Sequence, residues 1–172
     1  MKLNIGSSTP RGMYKHDAEW INLDLFSNRN INVVGSGFAL PFKDNCIERI
    51  HCVHVLEHVT RDKQLPMLAE MQRVLIPGGK ALVEVPDLIE TARELLRRWE
   101  QGNIEGTRLM TVSLFGKSER PGMAHYWGYT NQYLMNQFAQ VGFSKFRELV
   151  KKENMISQHY TKTPVLLIEG TK

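Results

Sequence analysis

The sequence has few of the features that mark a secreted or membrane protein. Only two cysteines, Cys46 and Cys52, occur in 172 residues, and a lone pair six positions apart is a poor framework for a secreted disulfide fold. No stretch approaches the roughly 20 consecutive apolar residues of a membrane-spanning helix. Polar residues and Gly6 interrupt the start of the chain before a signal-peptide core develops. These absences predict a soluble, cytoplasmic protein.

A strong excess of one charge is also missing. Lys and Arg number 22 against 18 Asp and Glu, a net charge of +4, and the densest basic spots are the pairs Arg97-Arg98 and Lys151-Lys152. Nucleic-acid binding is normally marked by a longer basic run or stripe, so this charge pattern disfavours a nucleic-acid partner. With 42% apolar and 23% charged residues, the composition predicts a single globular domain over residues 1–172 with a hydrophobic core of its own.

Short apolar runs that end at turn-forming residues alternate with helical patterns. The runs predict strands at 3–5, 21–23, 31–34, 47–53, 81–85, 144–150 and 164–169. Apolar residues at helical spacing predict helices over 65–75, over 88–102 and between Thr130 and Gly142. Strand, helix, strand order is typical of an α/β protein with a parallel sheet and crossover helices. Residues 103–129 lack a clean period and are predicted to be a partly structured insertion or lid, a kind of segment that is often functional.

The ends of the first two predicted strands carry a candidate nucleotide site. Gly6, Ser7 and Ser8 follow the first strand directly, and small residues there let a ligand approach the backbone. Asp24 ends the second strand, where a carboxylate can accept hydrogen bonds from both hydroxyls of a ribose. Because open parallel sheets bind ligands beyond the carboxyl ends of their strands, we expect these residues to lie at one site.

A longer set of motifs resembles a known family. The motifs occur in one order along nearly the whole chain: Leu3 to Gly6, Ile21-Asn22-Leu23-Asp24, Ala39-Leu40-Pro41-Phe42 with Asp44-Asn45, His54-Val55-Leu56-Glu57-His58, Glu70 with Arg73-Val74-Leu75-Ile76-Pro77-Gly78-Gly79, Pro86-Asp87, and Tyr129-Thr130 leading to Val141-Gly142-Phe143. Together they resemble the S-adenosylmethionine-dependent methyltransferases of type 11. The resemblance implies a Rossmann-like three-layer α/β sandwich whose mostly parallel seven-stranded sheet has an antiparallel last strand.

The resemblance also implies which residues bind S-adenosyl-L-methionine and its product S-adenosyl-L-homocysteine. They follow the first four strands: Gly6, Ser7 and Ser8 at the methionine part, Asp24 at the ribose, Ser36, Phe38 and Ala39 at the adenine, and Val53 and His54 beneath the sulfonium. The chain departs from the family at Ser8, where a second glycine is usual, and at Ser36, where an acidic residue is frequent. The first crossover helix is expected to be short or missing, and no helices are expected before the first strand. These departures keep open an alternative, a non-catalytic binding domain with a degraded cofactor site.

Acceptor chemistry is expected between the fourth strand and the insertion. His125 and Glu57 are the candidate general bases, because either can take a proton from an acceptor hydroxyl. His58, Tyr126 and Trp127 are the candidate substrate-binding residues, although the two aromatic residues would equally well tie the insertion to the core. The Asn/Asp-Pro-Pro-aromatic element of enzymes that methylate base amino groups is absent. The resemblance therefore favours a small-molecule or sugar acceptor that is methylated at oxygen. A homodimer is a further possibility that the sequence leaves open.

One competing pattern has a different chemistry. His54, Glu57 and His58 match the inverted zinc-protease motif, in which two histidines on one helical turn bind zinc. That motif needs a helix already formed at His54, whereas residues 47–53 have the pattern of a strand that leads into this position. A zinc hydrolase is thus a remote alternative, and the sequence predicts no metal site.

Overall fold

The computed structural model describes residues 1–7, 19–117, 122–149 and 163–172. Within these ranges the chain forms seven strands and four helices. The strands are β1 (Lys2–Ile5), β2 (Trp20–Asp24), β3 (Val33–Val34), β4 (Ile47–Val53), β5 (Leu75–Pro86), β6 (Ser144–Glu148) and β7 (Val165–Thr171). The helices are α1 (Arg61–Val74), α2 (Leu88–Glu100), α3 (Ile104–Phe115) and α4 (Asn131–Gln140), and a single 3₁₀ turn spans Leu56–His58.

All seven strands belong to one sheet with the order β3-β2-β1-β4-β5-β7-β6. Strands β1 to β5 pair in parallel, while β7 runs antiparallel to both β5 and β6. The strand order reverses between β1 and β4, which places a topological switch point there. The predicted Rossmann-like α/β fold, with its antiparallel last strand, is confirmed. The expectation of a short first crossover helix concerns residues 8–18, which lie outside the described residues.

The core lies between the central strands and the helices packed on them. Leu3 of β1, Ile50 of β4, Leu68 of α1 and Phe138 of α4 are all fully buried. Residues 50–53 of β4 and 81–85 of β5 are all buried, which shows that both faces of these central strands are covered, as is usual in a parallel sheet. Among the helices of the described ranges, none combines the length and the hydrophobicity that a membrane crossing requires.

The predicted insertion contains a regular helix, α3. Asn103 caps it, since its side-chain oxygen accepts a hydrogen bond of 2.8 Å from the Gly106 amide. Only Gly106 and Met110 of this helix are buried, because α3 packs chiefly against α2 rather than on the sheet. A helix with so few buried residues shows no clear 3.6-residue pattern of apolar residues in the sequence, and α3 was therefore not predicted.

Candidate functional site

The first side of the site is the turn that follows β1. Gly6 adopts a left-handed conformation with φ of +76°, and its amide donates a hydrogen bond of 2.9 Å to the carbonyl of Leu23. A Cβ at this position would lie 2.1 Å from Cγ2 of Val55. Glycine is therefore required here twice, once for the backbone conformation and once for the close approach of the segment that follows β4.

Asp24 lies at the carboxyl end of β2, next to the Gly6 turn. The residue is 7% exposed, and its Oδ1 accepts a hydrogen bond of 3.0 Å from the amide of Phe26. Its backbone carbonyl accepts another of 2.9 Å from Gly35. Ser7 is buried beside it, and the Ser7 hydroxyl is 3.5 Å from the Leu23 carbonyl. Asp24 and Gly6 thus meet at neighbouring strand ends, as predicted, whereas Ser8 lies outside the described residues.

The segment from Ser36 to Ala39 forms an open edge beyond β3. The Ser36 hydroxyl accepts a hydrogen bond of 3.2 Å from the Phe38 amide, and the Phe38 ring is 41% exposed. Ala39 is exposed as well. An exposed aromatic ring beside a small residue is a surface on which a flat heterocycle can stack. That Ser36, Phe38 and Ala39 contact the adenine stays a prediction.

Two charged residues of α1 hold this edge in place. Glu70 accepts a hydrogen bond of 2.8 Å from the Leu40 amide. Arg73 donates to the carbonyls of Phe42, at 2.9 Å, and Leu40, at 3.1 Å, and it pairs with Glu70 at 2.6 Å. The hydrogen bond from Arg73 lowers the pKa of Glu70 below its usual range. The hydrogen bonds of Glu70 and Arg73 thus join the Leu-Pro-Phe motif to the Arg-Val-Leu motif.

Beyond β4 the site is built from buried charges. His54 has a φ of +53°, and its Nδ1 lies 2.8 Å from Oε1 of Glu57 while its Nε2 lies 3.2 Å from Oε1 of Glu84. These side chains are 7%, 1% and 1% exposed, respectively. Burial lowers the pKa of His54, but the two carboxylates outweigh burial and raise it to about 9. The imidazolium is thus enclosed between two acids, and Val53 is fully buried, so neither side chain is open to a ligand.

Glu57 connects this charged pair to two further histidines. Single ligand atoms of Glu57, His58 and His125 all lie within 4.8 Å of one another. The His58 and His125 rings meet edge to face, with centroids 4.7 Å apart. Burial would raise the pKa of Glu57, yet its hydrogen bond with His54 and the nearby histidines lower it. Burial lowers the pKa of His125. The structure therefore brings together both predicted bases and one predicted substrate residue.

Backbone carbonyls fix the orientation of both rings. Nδ1 of His58 is 2.9 Å from the Ala124 carbonyl, and Nδ1 of His125 is 3.0 Å from the Ser113 carbonyl. A carbonyl only accepts hydrogen bonds, so each Nδ1 carries a proton, and in the neutral form of either ring Nε2 is the nitrogen that has the lone pair. At Gly116 a Cβ would lie 2.2 Å from the Met123 carbonyl, which shows how tightly the end of α3 holds the segment that carries His125.

The predicted aromatic residues of the insertion have different environments. The Tyr126 amide donates a hydrogen bond of 2.8 Å to the Glu57 carbonyl, while the residue itself is 56% exposed. Trp127 packs against the core, beneath the Arg61 guanidinium at 5.2 Å and 5.5 Å from the Tyr133 ring. The Tyr126 side chain is thus open to solvent, whereas Trp127 has the environment of an anchor for the segment.

Sequence reasoning missed Glu84, which completes the charged group around His54. A single acid inside the apolar run of β5 was the signal, since an unpaired charge is seldom placed in a central strand. The zinc-protease arrangement does not form among the described residues. Both nitrogens of His54 face carboxylates, and the 3₁₀ turn begins only at Leu56.

Comparison with known proteins agrees with the fold. Residues 14–83 match the family model described as a methyltransferase domain, which begins beyond β1 and so leaves Gly6 outside the match. The chain is 26% identical over 109 residues to the human protein "Probable tRNA methyltransferase 9B", and it spans only 24% of that protein's length.

Solved structures extend the likeness to the whole chain. A Thermotoga maritima protein described as a SAM-dependent methyltransferase, possibly a histamine N-methyltransferase, has a TM-score of 0.60 at 21% identity, with 99% of this chain and 81% of that chain covered. The Burkholderia thailandensis 1,6-didemethyltoxoflavin-N1-methyltransferase, solved with S-adenosylhomocysteine, has a TM-score of 0.60 at 12% identity, with 99% and 70% covered. This chain therefore resembles the methyltransferase-domain family over residues 14–83 and shares the fold of the solved methyltransferases over nearly its whole length.

Proposed function

We propose that this protein transfers a methyl group from S-adenosylmethionine to a hydroxyl of a small molecule or sugar. The observation that carries the proposal is the juxtaposition of Gly6 and Asp24 at neighbouring strand ends beside the switch point of the sheet. This is where parallel α/β sheets bind nucleotides. The bound cofactor would supply an activated methyl group, so the protein's own task is mainly to bind and orient.

The residues of β1 to β3 would hold the cofactor. Gly6 has no side chain, so the methionine part of the cofactor could lie against the backbone of this turn. Asp24 would accept hydrogen bonds from the ribose hydroxyls. Phe38 and Ala39, both exposed, would cover the adenine, with the Ser36 hydroxyl nearby. Val53 and His54 have enclosed side chains, so any contact they make beneath the sulfonium would come from their backbone.

The histidine cluster would act on the acceptor. His125 is the better base of the two candidates, because its Nε2 has a lone pair while Nδ1 is held by the Ser113 carbonyl. Glu57 already accepts a hydrogen bond from His54 and would orient the acceptor instead. His58 and the exposed Tyr126 would flank the acceptor. A proton leaving the acceptor hydroxyl would pass to Nε2 of His125 as the methyl group arrives.

The charge pattern supports a small acceptor over RNA. The human relative is named for tRNA, but the chain spans 24% of it, and the net charge of +4 is distributed without a long basic run. A tRNA substrate would need a broad basic surface for phosphate contacts. Assaying methyl transfer from labelled cofactor into a small-molecule extract and into total tRNA separates the two acceptor classes.

Asp24→Asn tests the cofactor site. Asparagine keeps an oxygen for the Phe26 amide and so preserves the turn, but it removes the charge. We expect calorimetry to show binding of S-adenosylmethionine and S-adenosylhomocysteine to the parent protein and about tenfold weaker binding in the variant, since charge-assisted hydrogen bonds contribute about 1.5 kcal/mol or more. Equal affinities would refute the role of Asp24. Absence of binding at millimolar cofactor would refute the enzyme and favour the non-catalytic binding domain.

His125→Ala tests the acceptor side. We expect methyl transfer to fall by about 100-fold or more, the usual contribution of a general base, while affinity for the cofactor stays unchanged. Met123→Leu is the matched control within the same segment, because Met123 is 38% exposed and the hydrogen bond it accepts from the Lys117 amide is made by its backbone carbonyl. Normal turnover in His125→Ala would refute the assignment of the base.

A further inference from the structure

The cluster of Glu57, His58 and His125 has the composition of a metal site. Two imidazoles and one carboxylate present their ligand atoms within 4.8 Å of one another. Three protein ligands of this kind, with a further position left for water or substrate, are typical of catalytic Zn²⁺ sites. Tetrahedral ligands at zinc distances lie about 3.3 Å apart, so modest side-chain movements would bring these three atoms onto one ion.

The surroundings of the cluster prepare it for a cation. Oε2 of Glu57 is buried and has no hydrogen-bond partner among the described residues, although its Oε1 is paired with His54. A buried carboxylate oxygen without a partner is costly and calls for a cation or donor at that position. Among the described residues, the two histidines do not donate to this oxygen through Nδ1, because those N–H groups are hydrogen-bonded to the carbonyls of Ala124 and Ser113.

The hydrogen bonds of the two rings are those of metal ligands. A histidine that binds a metal through Nε2 generally donates Nδ1–H to a carbonyl or carboxylate, which sets its tautomer and direction. His58 does so to Ala124, and His125 does so to Ser113. Glu57 is held in the same way by His54. Each candidate ligand is therefore oriented by a partner, and these hydrogen bonds leave Nε2 of both rings available to a metal.

We infer that Glu57, His58 and His125 form a binding site for a divalent transition metal, with Zn²⁺ the best match to two imidazoles and a carboxylate. The site joins the 3₁₀ turn after β4 to the segment that carries His125, which the Tyr126 amide already links to Glu57. A metal there would tie that segment to the sheet. It would also occupy Nε2 of His125, so metal-loaded protein and protein with His125 as the base are separate states.

Metal binding can be measured without cofactor or acceptor, which keeps this inference independent of methyl transfer. The protein, purified without metal-affinity resin and treated with chelator, is titrated with Zn²⁺ and, for spectroscopy, with Co²⁺. We expect one ion per chain, a higher Tm with Zn²⁺, and visible Co²⁺ bands of nitrogen and oxygen ligation. Failure to bind one ion per chain overturns the inference.

Variants assign the ligands. His58→Ala and His125→Ala should each weaken Zn²⁺ binding by about 100-fold or more, because losing a ligand costs at least as much as losing a residue that orients a ligand, about 10–100-fold. Cys46→Ser is the matched control, since Cys46 is a free, half-buried thiol away from the cluster, and it should bind Zn²⁺ like the parent. Unchanged binding in both histidine variants, loss of binding in Cys46→Ser, or a thiolate band in the Co²⁺ spectrum would overturn the site. Urea unfolding of each metal-free variant shows whether it remains folded, and the parent's Co²⁺ spectrum tests the ligand type without any variant.

Discussion

The two halves of the sheet's carboxyl edge are constructed in opposite ways. On the side of β1 to β3, the edge that we propose binds the cofactor, here called the cofactor edge, consists of a glycine turn, one carboxylate and an exposed ring. On the side of β4, the histidine cluster and the His54 group consist of buried or half-buried ionisable side chains that meet from distant parts of the chain. The β1–β3 half presents accessible backbone, whereas the β4 half contains buried charged side chains.

The difference shows how stability and function are distributed along one edge. The cofactor edge derives its shape from backbone conformation and from a clamp behind it, so its ligand-facing atoms carry little of the folding energy. The group around His54 places a cation between two buried acids, where each charge depends on the others. A change in the first half should act mainly on binding, and a change in the second mainly on folding.

The largest expected effect comes from removing the charge of His54. His54→Asn suits the left-handed backbone conformation, because asparagine tolerates it better than most residues, but it leaves Glu57 and Glu84 buried without a cation. We expect the free energy of unfolding to fall by about 3–5 kcal/mol, the usual cost of breaking a buried ion pair from one side. Urea denaturation measures it.

A second substitution shows whether charge is the cause. Adding Glu84→Gln to His54→Asn removes one of the stranded carboxylates and should recover part of the loss. Arg93, exposed and paired with Glu90 on α2, offers a surface comparison, and Arg93→Ala should leave the unfolding midpoint in place. A His54→Asn protein as stable as the parent would show that the buried charges do not depend on each other.

Gly6→Ala is expected to have a smaller effect on folding and a large one on binding. The added methyl group meets Val55 at 2.1 Å and forces a φ of +76° on a residue with a side chain, which together cost about 2–3 kcal/mol. Cofactor binding, followed by calorimetry, should be lost. The double variant Gly6→Ala/Val55→Ala should regain the steric part of the stability. If the single variant binds cofactor normally, the turn after β1 is not the binding surface.

The smallest expected effect is the pH dependence of stability that comes from His51. This residue lies in β4, opposite Asn4 of β1. Its ring lies against Trp20, with centroids 4.2 Å apart. Burial, followed by the charges of Arg49 and Lys2, lowers its pKa from 6.5 to about 3. Below pH 6.5 the unfolded chain gains a proton that the folded chain accepts only near pH 3, so stability falls as the pH decreases through this window.

The contribution of His51 is isolated by comparison with His51→Gln. At about pH 5 the parent should lose about 2 kcal/mol through this residue relative to neutral pH, a loss that the variant should not show. Urea unfolding of both proteins at several pH values gives the free energy of unfolding as a function of pH. The other titratable groups are the same in both proteins, so the difference between the two slopes is due to His51. If the free energy of unfolding depended on pH in the same way in both proteins, His51 would have the same pKa in the folded and the unfolded chain.

Local patterns predicted most of the fold and the placement of Gly6 and Asp24 at neighbouring strand ends. The predicted strand at 47–53 matches β4 residue for residue. Asp87 begins α2 as a cap, and its side chain accepts from the amides of Ile89 and Glu90. Asp24 and Gly6 were found because parallel strands put their carboxyl ends at one edge. These features depend on neighbours in sequence or on a general rule of sheet topology.

The sequence by itself determined the parallel sheet, its crossover helices and the residues at the strand ends, because hydrophobic period and turn chemistry are local properties. It also supplied Glu57, His58 and His125 as separate candidates. Only the tertiary structure decided that the three converge, that Glu84 encloses His54, and that α3 is a helix. Those outcomes rest on contacts such as that between His58 and Ala124, 66 positions apart, and on burial, which sets whether a charged side chain meets solvent or another charge.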